Sequence, residues 1–343
     1  MVSAIGDAVG VGPEPTAAGL SAGTQDVRFA TAMTGGVSLA IWMGGVAREL
    51  NLLEQASRQR ESLAAGAVLP SADAAGFADD VSRALYVRLL EVLDCTVSTD
   101  ILSGTSAGGI NAALLGFTRS CGLDLSILRK VWLETGSFDL LLRDPGEKSP
   151  PSLLQGDHVL LKGLNAGIAE LAGKPANPLG AQGAAASDPH TTVFITTTLL
   201  AGETSRFTDD FGTLVQDVEH RGLFRFDETD LVIPANRAAL ALAARSSAAF
   251  PAAFEPAFLP CGHDADDQHP DMAPFSNITR DHFAADGGLL MNRPIKPLIE
   301  EVFTRQAGRQ VRRVLLYVVP SPGDAPDPTK TPPAAKQQER CAH

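Results

Sequence analysis

Hydrophobic positions recur along the chain with two different periods, and their alternation predicts strands separated by helices. Residues 27–33 alternate between apolar and polar side chains, as a half-buried strand does, whereas residues 38–60 place apolar side chains on one helical face. Further helices are predicted over 79–93, 107–117, 124–142 and 234–249, and further strands over 99–102, 191–200 and 311–319. Strands that alternate with helices favour an α/β sandwich with a largely parallel central sheet.

The two ends of the chain lack such periodicity. Residues 1–25 are rich in Gly, Ala, Ser and Pro, which predicts a disordered N-terminal segment. After Pro320 the composition shifts to Pro, Lys, Gln and Asp, so residues 321–343 are interpreted as a Pro-rich linker or tail. One folded domain is therefore expected over residues 26–320.

Composition narrows the classes of partner and the location. The chain has 343 residues, of which 44% are hydrophobic, and a formal net charge of −12. This charge argues against nucleic acid as the main partner, since phosphate binding needs clustered Lys and Arg. No basic segment precedes an apolar run near the N-terminus, and no stretch approaches the ~20 apolar residues of a membrane span. We expect a cytoplasmic protein that contacts membranes only peripherally.

Neither the cysteines nor the histidines form a recognisable metal site. The four cysteines include no Cys-x-x-Cys pair and are interpreted as reduced, structural thiols. Histidines and aspartates crowd residues 263–271, but their order matches no zinc or calcium spacing. We interpret this segment as a solvated acidic loop, and we expect neither a metal nor a cofactor.

The most informative motif is Gly104-Thr105-Ser106-Ala107-Gly108, which lies between an apolar strand and a helix of small residues. This context is what the Gly-x-Ser-x-Gly nucleophile elbow requires. Gly104 and Gly108 relieve the crowding of a sharp turn, and the helix directs its first amides, including that of Ala107, toward developing negative charge. The same residues also fit a flexible turn or a helix N-cap.

Two further glycine-rich segments carry weaker signals. Thr34-Gly35-Gly36-Val37 follows the first predicted strand, where backbone amides can point into a site. On its own, a plain strand-to-helix turn is the simpler interpretation of that segment. Ala285-Asp286-Gly287-Gly288 fits an ordinary turn, but it also fits a carboxylate held at a rigid corner.

Together the three segments resemble the patatin-like phospholipase family. That family has a glycine-rich oxyanion loop after its first strand, a Gly-x-Ser-x-Gly elbow and an Asp-Gly-Gly or Asp-Gly-Ala motif, and all three occur here in the family's order. Residues 244–251 and Asn292-Arg293-Pro294 resemble further blocks before and after the family's aspartate. The resemblance covers residues 27–319 and includes a subgroup of long actinobacterial patatin-related proteins, which suggests a piece of a longer chain.

The resemblance implies a three-layer α/β sandwich with helices flanking the sheet. It also implies hydrolysis of lipid acyl esters through an acyl-serine intermediate, with Ser106 as nucleophile and Asp286 as general base, without a histidine. The amides of Gly35, Gly36 and Val37 would stabilise the oxyanion. The implied partner is a lipid or phospholipid ester, met at a transient membrane interface.

The first loop departs from the family pattern. The family usually has Gly-Gly-Gly-x-Arg/Lys-Gly, whereas this chain has Val37, Leu39 and Ala40 at the third, fifth and sixth positions. The missing cation motivates a second hypothesis, that the domain is a catalytically weak or inactive lipid-binding or regulatory module. A third hypothesis is a His-dependent esterase, although after Asp286 the sequence offers only His343.

Overall fold

The computed structural model describes residues 20, 23–36, 40–65, 80–174, 190–208, 210–262, 264–307 and 310–320. Most of the predicted N-terminal segment and all of the predicted tail lie outside these residues, as do Val37, Leu39 and His263.

Strands and helices alternate over most of the described residues. The seven strands found there are β1 (Gln25–Met33), β2 (Cys95–Thr105), β3 (Thr192–Thr208), β4 (Leu214–Asp227), β5 (Ala257–Leu259), β6 (His282–Asp286) and β7 (Val311–Val318). The α-helices are α1 (Ala40–Ala64), α2 (Asp80–Leu93), α3 (Ala107–Ser120), α4 (Leu128–Thr135), α5 (Phe138–Leu141), α6 (Lys162–Ala172), α7 (Glu228–Val232), α8 (Arg237–Ser247), α9 (Gly288–Met291) and α10 (Ile295–Thr304).

The sheet is mixed, with a parallel centre. β1 pairs with both β2 and β7, and β2 pairs with β3, all in parallel. β4 forms an antiparallel hairpin with β3, β6 runs antiparallel to β3, and β5 pairs antiparallel with β6. This arrangement confirms the predicted α/β class with a largely parallel sheet.

Helices cover both faces of the sheet, so the domain has three layers. Side chains alternate along β3: Val193 and Ile195 belong to the large core under α1, α3 and α8, whereas Phe194 packs on the other face with Leu298 of α10. Burial on both faces is typical of the inner strands of α/β sheets. The three-layer sandwich implied by the resemblance is therefore confirmed.

Two strands of opposite direction share one edge of β3 and meet end to end. β4 occupies the other edge of the same segment of β3. On the shared edge, β2 ends at Thr105, opposite Thr196, and β6 ends at Asp286, opposite Thr197. Because β2 is parallel and β6 antiparallel to β3, both strands end at one point of the sheet. Ser106, the residue after β2, is thereby brought beside Asp286.

The single helix predicted over 124–142 is wrong. The chain forms the short helices α4 and α5 instead and breaks between them at Gly136. A Cβ on Gly136 would lie 2.6 Å from the carbonyl oxygen of Trp132, so the chain turns there on glycine. Residues on both sides of the break line a large cavity next to Ser106.

Two strands are longer than the sequence predicts, because they include polar side chains. β2 begins at Cys95, and its Asp100 is fully buried because Arg313 of β7 donates to both carboxylate oxygens, at 2.5 and 2.7 Å. β3 continues past residue 200 to Thr208, where it pairs with β4 in a two-stranded hairpin. The local hydrophobic pattern predicts neither the ion pair nor the full length of β3.

We predict that Arg313→Met lowers the free energy of unfolding by about 3–5 kcal/mol, since it leaves the buried Asp100 carboxylate without its cation. Chemical denaturation measures the change. The matched control is Arg312→Met on the same strand, whose exposed side chain donates to Gln25 at 3.4 Å. For this control we expect a change below about 0.5 kcal/mol. Equal decreases in the free energy of unfolding in the two variants would show that the buried ion pair does not stabilise the fold more than the exposed Arg312 does.

Candidate active site

Ser106 lies on a sharp turn between β2 and α3. Its backbone adopts φ 55° and ψ −127°, a strained conformation for a residue with a side chain. A Cβ at Gly104 would lie 2.3 Å from the carbonyl oxygen of Gly108, and a Cβ at Gly108 would lie 2.3 Å from that of Met33. Close backbone approach therefore requires glycine on both sides of Ser106.

The Ser106 hydroxyl donates a hydrogen bond to a carboxylate 180 residues away in sequence. Its Oγ lies 2.6 Å from Asp286 Oδ2, and Asp286 Oδ1 accepts the amide of Gly288 at 2.7 Å. Ser106 and Asp286 are buried, with relative exposures of 6% and 3%. Each oxygen of the Asp286 carboxylate thus accepts one hydrogen bond, Oδ2 from the Ser106 hydroxyl and Oδ1 from the Gly288 amide.

Ser247, the last residue of α8, fixes these two groups relative to each other. Its Oγ accepts the amide of Ser106 at 2.7 Å, and its carbonyl oxygen accepts the amide of Gly287 at 3.1 Å. In the sequence Ser247 belongs to the segment 244–251, but nothing in the local pattern indicates a contact with Ser106. Its role emerges only when α8 packs under the turn.

Burial raises the pKa of Asp286 above the ordinary value of 3.8, while the hydrogen bonds from Ser106 and Gly288 counteract part of that rise. A carboxylate with a raised pKa is a stronger proton acceptor. The site therefore joins a hydroxyl donor to a carboxylate of increased basicity, at hydrogen-bond distance.

Gly35, in the loop after β1, approaches Ser106 closely. A Cβ on Gly35 would lie 2.9 Å from the Ser106 Cβ, so only glycine fits at this position of the loop. The Gly35 amide, one of the predicted oxyanion donors, donates to Asn292 Oδ1 at 2.7 Å. Gly36, another predicted donor, lies within the described residues, whereas Val37, the third predicted donor of this loop, lies outside them.

Ala107, the remaining predicted donor, is the first residue of α3. Its amide therefore has no acceptor within the helix, and the helix dipole places partial positive charge there. Ala107 lines the cavity next to Ser106. The amino-terminal end of α3, with its partial positive charge, thus lies directly after Ser106.

A cavity of about 850 Å³ opens next to Ser106. Its lining is mostly apolar and includes Ile110, Leu141, Leu154, Leu160, Phe250 and Phe254. Ligand sites in proteins have this size and this predominantly apolar character. The cavity can hold an extended hydrocarbon chain with its polar end at the serine. We call it the acyl cavity.

A buried ion network supports one wall of the acyl cavity. Arg245 is fully buried, with Nε 3.2 Å from Asp157 Oδ1 and Nη2 3.5 Å from Glu255 Oε1. Its guanidinium lies 5.4 Å from the centre of the Phe254 ring. Although burial opposes the charge of Glu255, hydrogen bonds from the Asp157 amide and the Ser152 hydroxyl lower its pKa to about 2. Arg245 thus ties two cavity-lining segments together.

Four histidines of the described residues bond other partners, namely His190, His220, His269 and His282. His282 is buried, and its Nε2 lies 2.9 Å from Glu203 Oε1. Over the described ranges, Ser106 Oγ and the Asp286 carboxylate have no hydrogen bond with a histidine. A reaction that used a histidine would need a different arrangement from the one observed.

The acidic loop makes hydrogen bonds within itself. Asp266 accepts the amides of Gln268 and His269 at 2.7 and 2.6 Å. Among the described residues, which exclude His263, no three His, Cys, Asp or Glu side chains are grouped so as to hold a metal ion. In the same part of the chain, no helix has the length and apolar character needed to span a bilayer.

Two comparisons relate the chain to known proteins. The sequence profile described as Patatin-like phospholipase matches residues 82–299. An uncharacterized membrane protein of Mycobacterium tuberculosis is 55% identical over 315 residues, which are 90% of this chain and 29% of that protein. The chain thus spans less than a third of the length of this relative. The mycobacterial relative is consistent with the predicted actinobacterial subgroup.

We predict that Asp286 titrates above 3.8 in the folded protein and that Ser106→Ala raises its pKa further, because the variant removes the donor that stabilises the ionised carboxylate. Carbon-13 NMR of the side-chain carboxylates measures both values. As a control, Ser246→Ala removes a buried hydroxyl that bonds the Ala243 carbonyl and should leave the Asp286 titration unchanged. A lower pKa in Ser106→Ala would contradict the observed direction of the hydrogen bond.

Proposed function

Since the chain belongs to the patatin-like phospholipase family, we propose that it is a serine acyl hydrolase that cleaves carboxylic ester bonds of lipids. Ser106 is the nucleophile and Asp286 is its only catalytic partner. The observation that carries the proposal is the 2.6 Å hydrogen bond between Ser106 Oγ and Asp286 Oδ2. The acyl cavity beside this bond supports lipids as the substrate class.

The first half of the reaction transfers the acyl group to the serine. Asp286 Oδ2 accepts the Ser106 proton while Oγ attacks the ester carbonyl carbon, which gives a tetrahedral oxyanion. As the oxyanion collapses, the bond to the leaving alcohol breaks and the proton on Asp286 passes to its oxygen. The products are the free alcohol and an acyl-serine. The raised pKa of Asp286 favours the initial proton transfer.

The second half of the reaction releases the acyl chain. A water molecule takes the position of the departed alcohol and gives its proton to Asp286 as its oxygen attacks the acyl-serine carbonyl. Collapse of the second oxyanion breaks the bond to Ser106 Oγ, and the proton on Asp286 returns to Oγ. The fatty acid leaves, and the original protonation state is restored.

The proposed oxyanion donors are the amides of Ala107 and Gly36, with that of Val37 as a further predicted donor. Each such donor contributes about 2.7–4 kcal/mol to stabilising the transition state. The Gly35 amide is bonded to Asn292 Oδ1 and, in this arrangement, anchors the loop.

A second candidate function is a catalytically weak or inactive lipid-binding module. The hydrogen bond between the Gly35 amide and Asn292 favours it, because it occupies one predicted oxyanion donor. The replacement of the family's loop cation by Leu39 favours it as well. Both candidates use the acyl cavity, so turnover of an ester distinguishes them.

We predict that Ser106→Ala and Asp286→Asn each lower kcat for a soluble short-chain ester by at least about 10³-fold, since each removes half of the proposed catalytic pair. Ester hydrolysis and covalent labelling by a fluorophosphonate measure the effect. Ser246→Ala, a buried serine on the same helix as Ser247, is the control and should keep both signals.

The outcomes of this experiment separate the hypotheses. No turnover by the wild-type protein over a broad ester panel supports the binding module. Full activity in Asp286→Asn, combined with loss in His282→Gln, supports a His-dependent esterase and rejects the proposed pair.

We further infer that the domain meets its substrate at a lipid surface. Large apolar side chains at the mouth of the acyl cavity are about half exposed or more, namely Ile41, Leu133, Phe138, Leu153 and Phe250. Exposed apolar clusters of this kind mark interaction sites. The net charge of −12 disfavours long-range attraction to anionic lipid. Contact is therefore expected through apolar insertion into neutral or zwitterionic surfaces.

We predict that the double variant Phe138→Ser, Leu153→Ser loses sedimentation with phosphatidylcholine vesicles, because it removes two exposed apolar groups from the cavity mouth. Its ratio of vesicle hydrolysis to hydrolysis of a monomeric ester should fall about tenfold, and salt should change wild-type vesicle binding little. Val81→Ser, on the exposed face of α2, is the control. Equal binding by both variants, or wild-type binding that salt abolishes, would reject apolar docking at this mouth.

A further inference from the structure

A second cavity, of about 300 Å³, adjoins the acyl cavity. We call it the side cavity. Ile41 of α1 and Trp132 of α4 line both cavities, so these two side chains stand between the two spaces. The proposed reaction places an acyl chain in the larger space and gives the smaller one no role. What separates the two spaces therefore decides which acyl chains fit.

The Trp132 indole is held in place by a hydrogen bond and by close packing. Its Nε1 donates to Asn111 Oδ1 at 3.1 Å. Asn111 is fully buried, and its Nδ2 donates to the carbonyl oxygens of Ala40 and Ala107 at 3.2 and 3.0 Å. A Cβ on Gly44 would lie 3.2 Å from the Trp132 ring, so the indole already fills the space beside α1. It is an anchored wall between the two cavities.

The indole lies near the part of the acyl cavity that adjoins the nucleophile. Its partner Asn111 is one turn of α3 beyond Ala107, about 6 Å along the helix axis, and Ala107 directly follows Ser106. An acyl chain whose ester carbonyl lies at Ser106 therefore passes Trp132 within a few bonds of that carbonyl. A branch on this part of the chain would meet the indole.

The side cavity behind the indole has room for such a branch. A Cβ added at Gly45 would meet no atom within 4 Å, and the φ of this residue is not positive. Most of the lining consists of glycines and apolar side chains, namely Ile41, Gly44, Gly45, Leu125, Leu128 and Trp132. An alkyl branch could occupy this space if the indole did not close it off.

We propose that Trp132 is a specificity-determining residue, whose indole closes the side cavity to the acyl chain and selects straight chains over chains branched near the ester carbonyl. This inference rests on the proposed function and narrows its substrate class to esters of unbranched fatty acids. A straight chain passes the indole within the acyl cavity. A branched chain must displace an indole that is bonded to Asn111.

Hydrolysis of two isomeric esters tests this selection. The acyl groups of p-nitrophenyl octanoate and p-nitrophenyl 2-propylpentanoate have the same composition, and only the second is branched. We expect the ratio of kcat/KM, straight to branched, to fall about tenfold in Trp132→Ala. The intrinsic slowness of the branched ester is common to all variants, so a change in the ratio reports the change in the protein.

Trp42→Ala is the matched control for this experiment. Trp42 lies on α1 next to Ile41 and is half exposed, and among the described residues it is not part of the lining of either cavity. The ratio should stay within about twofold of the wild-type value in this variant. An unchanged ratio in Trp132→Ala, or an equal fall in both tryptophan variants, would overturn the proposal.

Filling the side cavity separates selection by Trp132 from a general loss of structure. In the double variant Trp132→Ala, Gly45→Leu, the new side chain enters the open space, and we expect the ratio to return to within about twofold of the wild-type value. Gly45→Leu alone should leave the ratio unchanged, because the indole still closes the side cavity. A ratio that falls in Trp132→Ala and is not restored in the double variant would contradict the role of the side cavity.

Fluorescence tests the proposal without turnover and without changing Trp132. The chain has two tryptophans, so Trp42→Phe leaves Trp132 as the only one. We expect octanoate to shift the Trp132 emission saturably and 2-propylpentanoate to bind at least about tenfold more weakly. Equal binding of the two acids, or no response of the emission, would overturn the proposal. Absent turnover of both esters, combined with this difference in binding, would contradict the hydrolase and support the role of Trp132.

Discussion

The end-to-end meeting of β2 and β6 on one edge of β3 is the constraint on which the site depends. One strand is parallel and the other antiparallel to β3, and they end opposite the adjacent residues Thr196 and Thr197. Only strands of opposite direction can bring two carboxyl ends together on the same edge. Ser106 must then leave β2 through a strained turn, at a cost of about 1–3 kcal/mol. The hydrogen bond from its amide to Ser247 Oγ helps to hold that conformation.

The surroundings of Asp286 differ from those of the other buried carboxylates. Asp100 faces Arg313, and Glu54 faces Arg119, so each charge has a cation. Within the described part of the chain, no cation lies within salt-bridge distance of Asp286, which has only the Ser106 hydroxyl and one amide as donors. A cation would lower the pKa of the carboxylate and weaken it as a base. Burial without a cation raises that pKa and fits proton transfer from an alcohol.

The parts of the site that require glycine can be predicted from the sequence. The elbow and the Asp-Gly-Gly corner need residues without side chains, so the motifs are visible without coordinates. The resemblance includes the segments that contain Arg245, Ser247 and Asn292, but the sequence does not predict their contacts, because the partners lie on distant segments. The break at Gly136 was missed for a similar reason, since a lone glycine inside an apolar helical pattern has no unique meaning.

The sequence also predicts the largely parallel sheet, because the spacing of hydrophobic residues distinguishes strands from helices. Strands that alternate with helices favour a parallel sheet. The sequence did not predict that β6 would continue the edge begun by β2, since strand direction and register depend on contacts between distant residues.

The central claim is that Asp286 alone accepts the proton of Ser106. The most direct measurement is the pH dependence of kcat/KM for a soluble ester, compared with the pKa of the Asp286 carboxylate in the same protein. Protonated Asp286 cannot accept a proton, so kcat/KM should rise with pH through a single ionisation above 3.8 that coincides with this pKa. An ionisation that differs from the Asp286 titration and lies near the ordinary histidine value of about 6.5 would contradict the account.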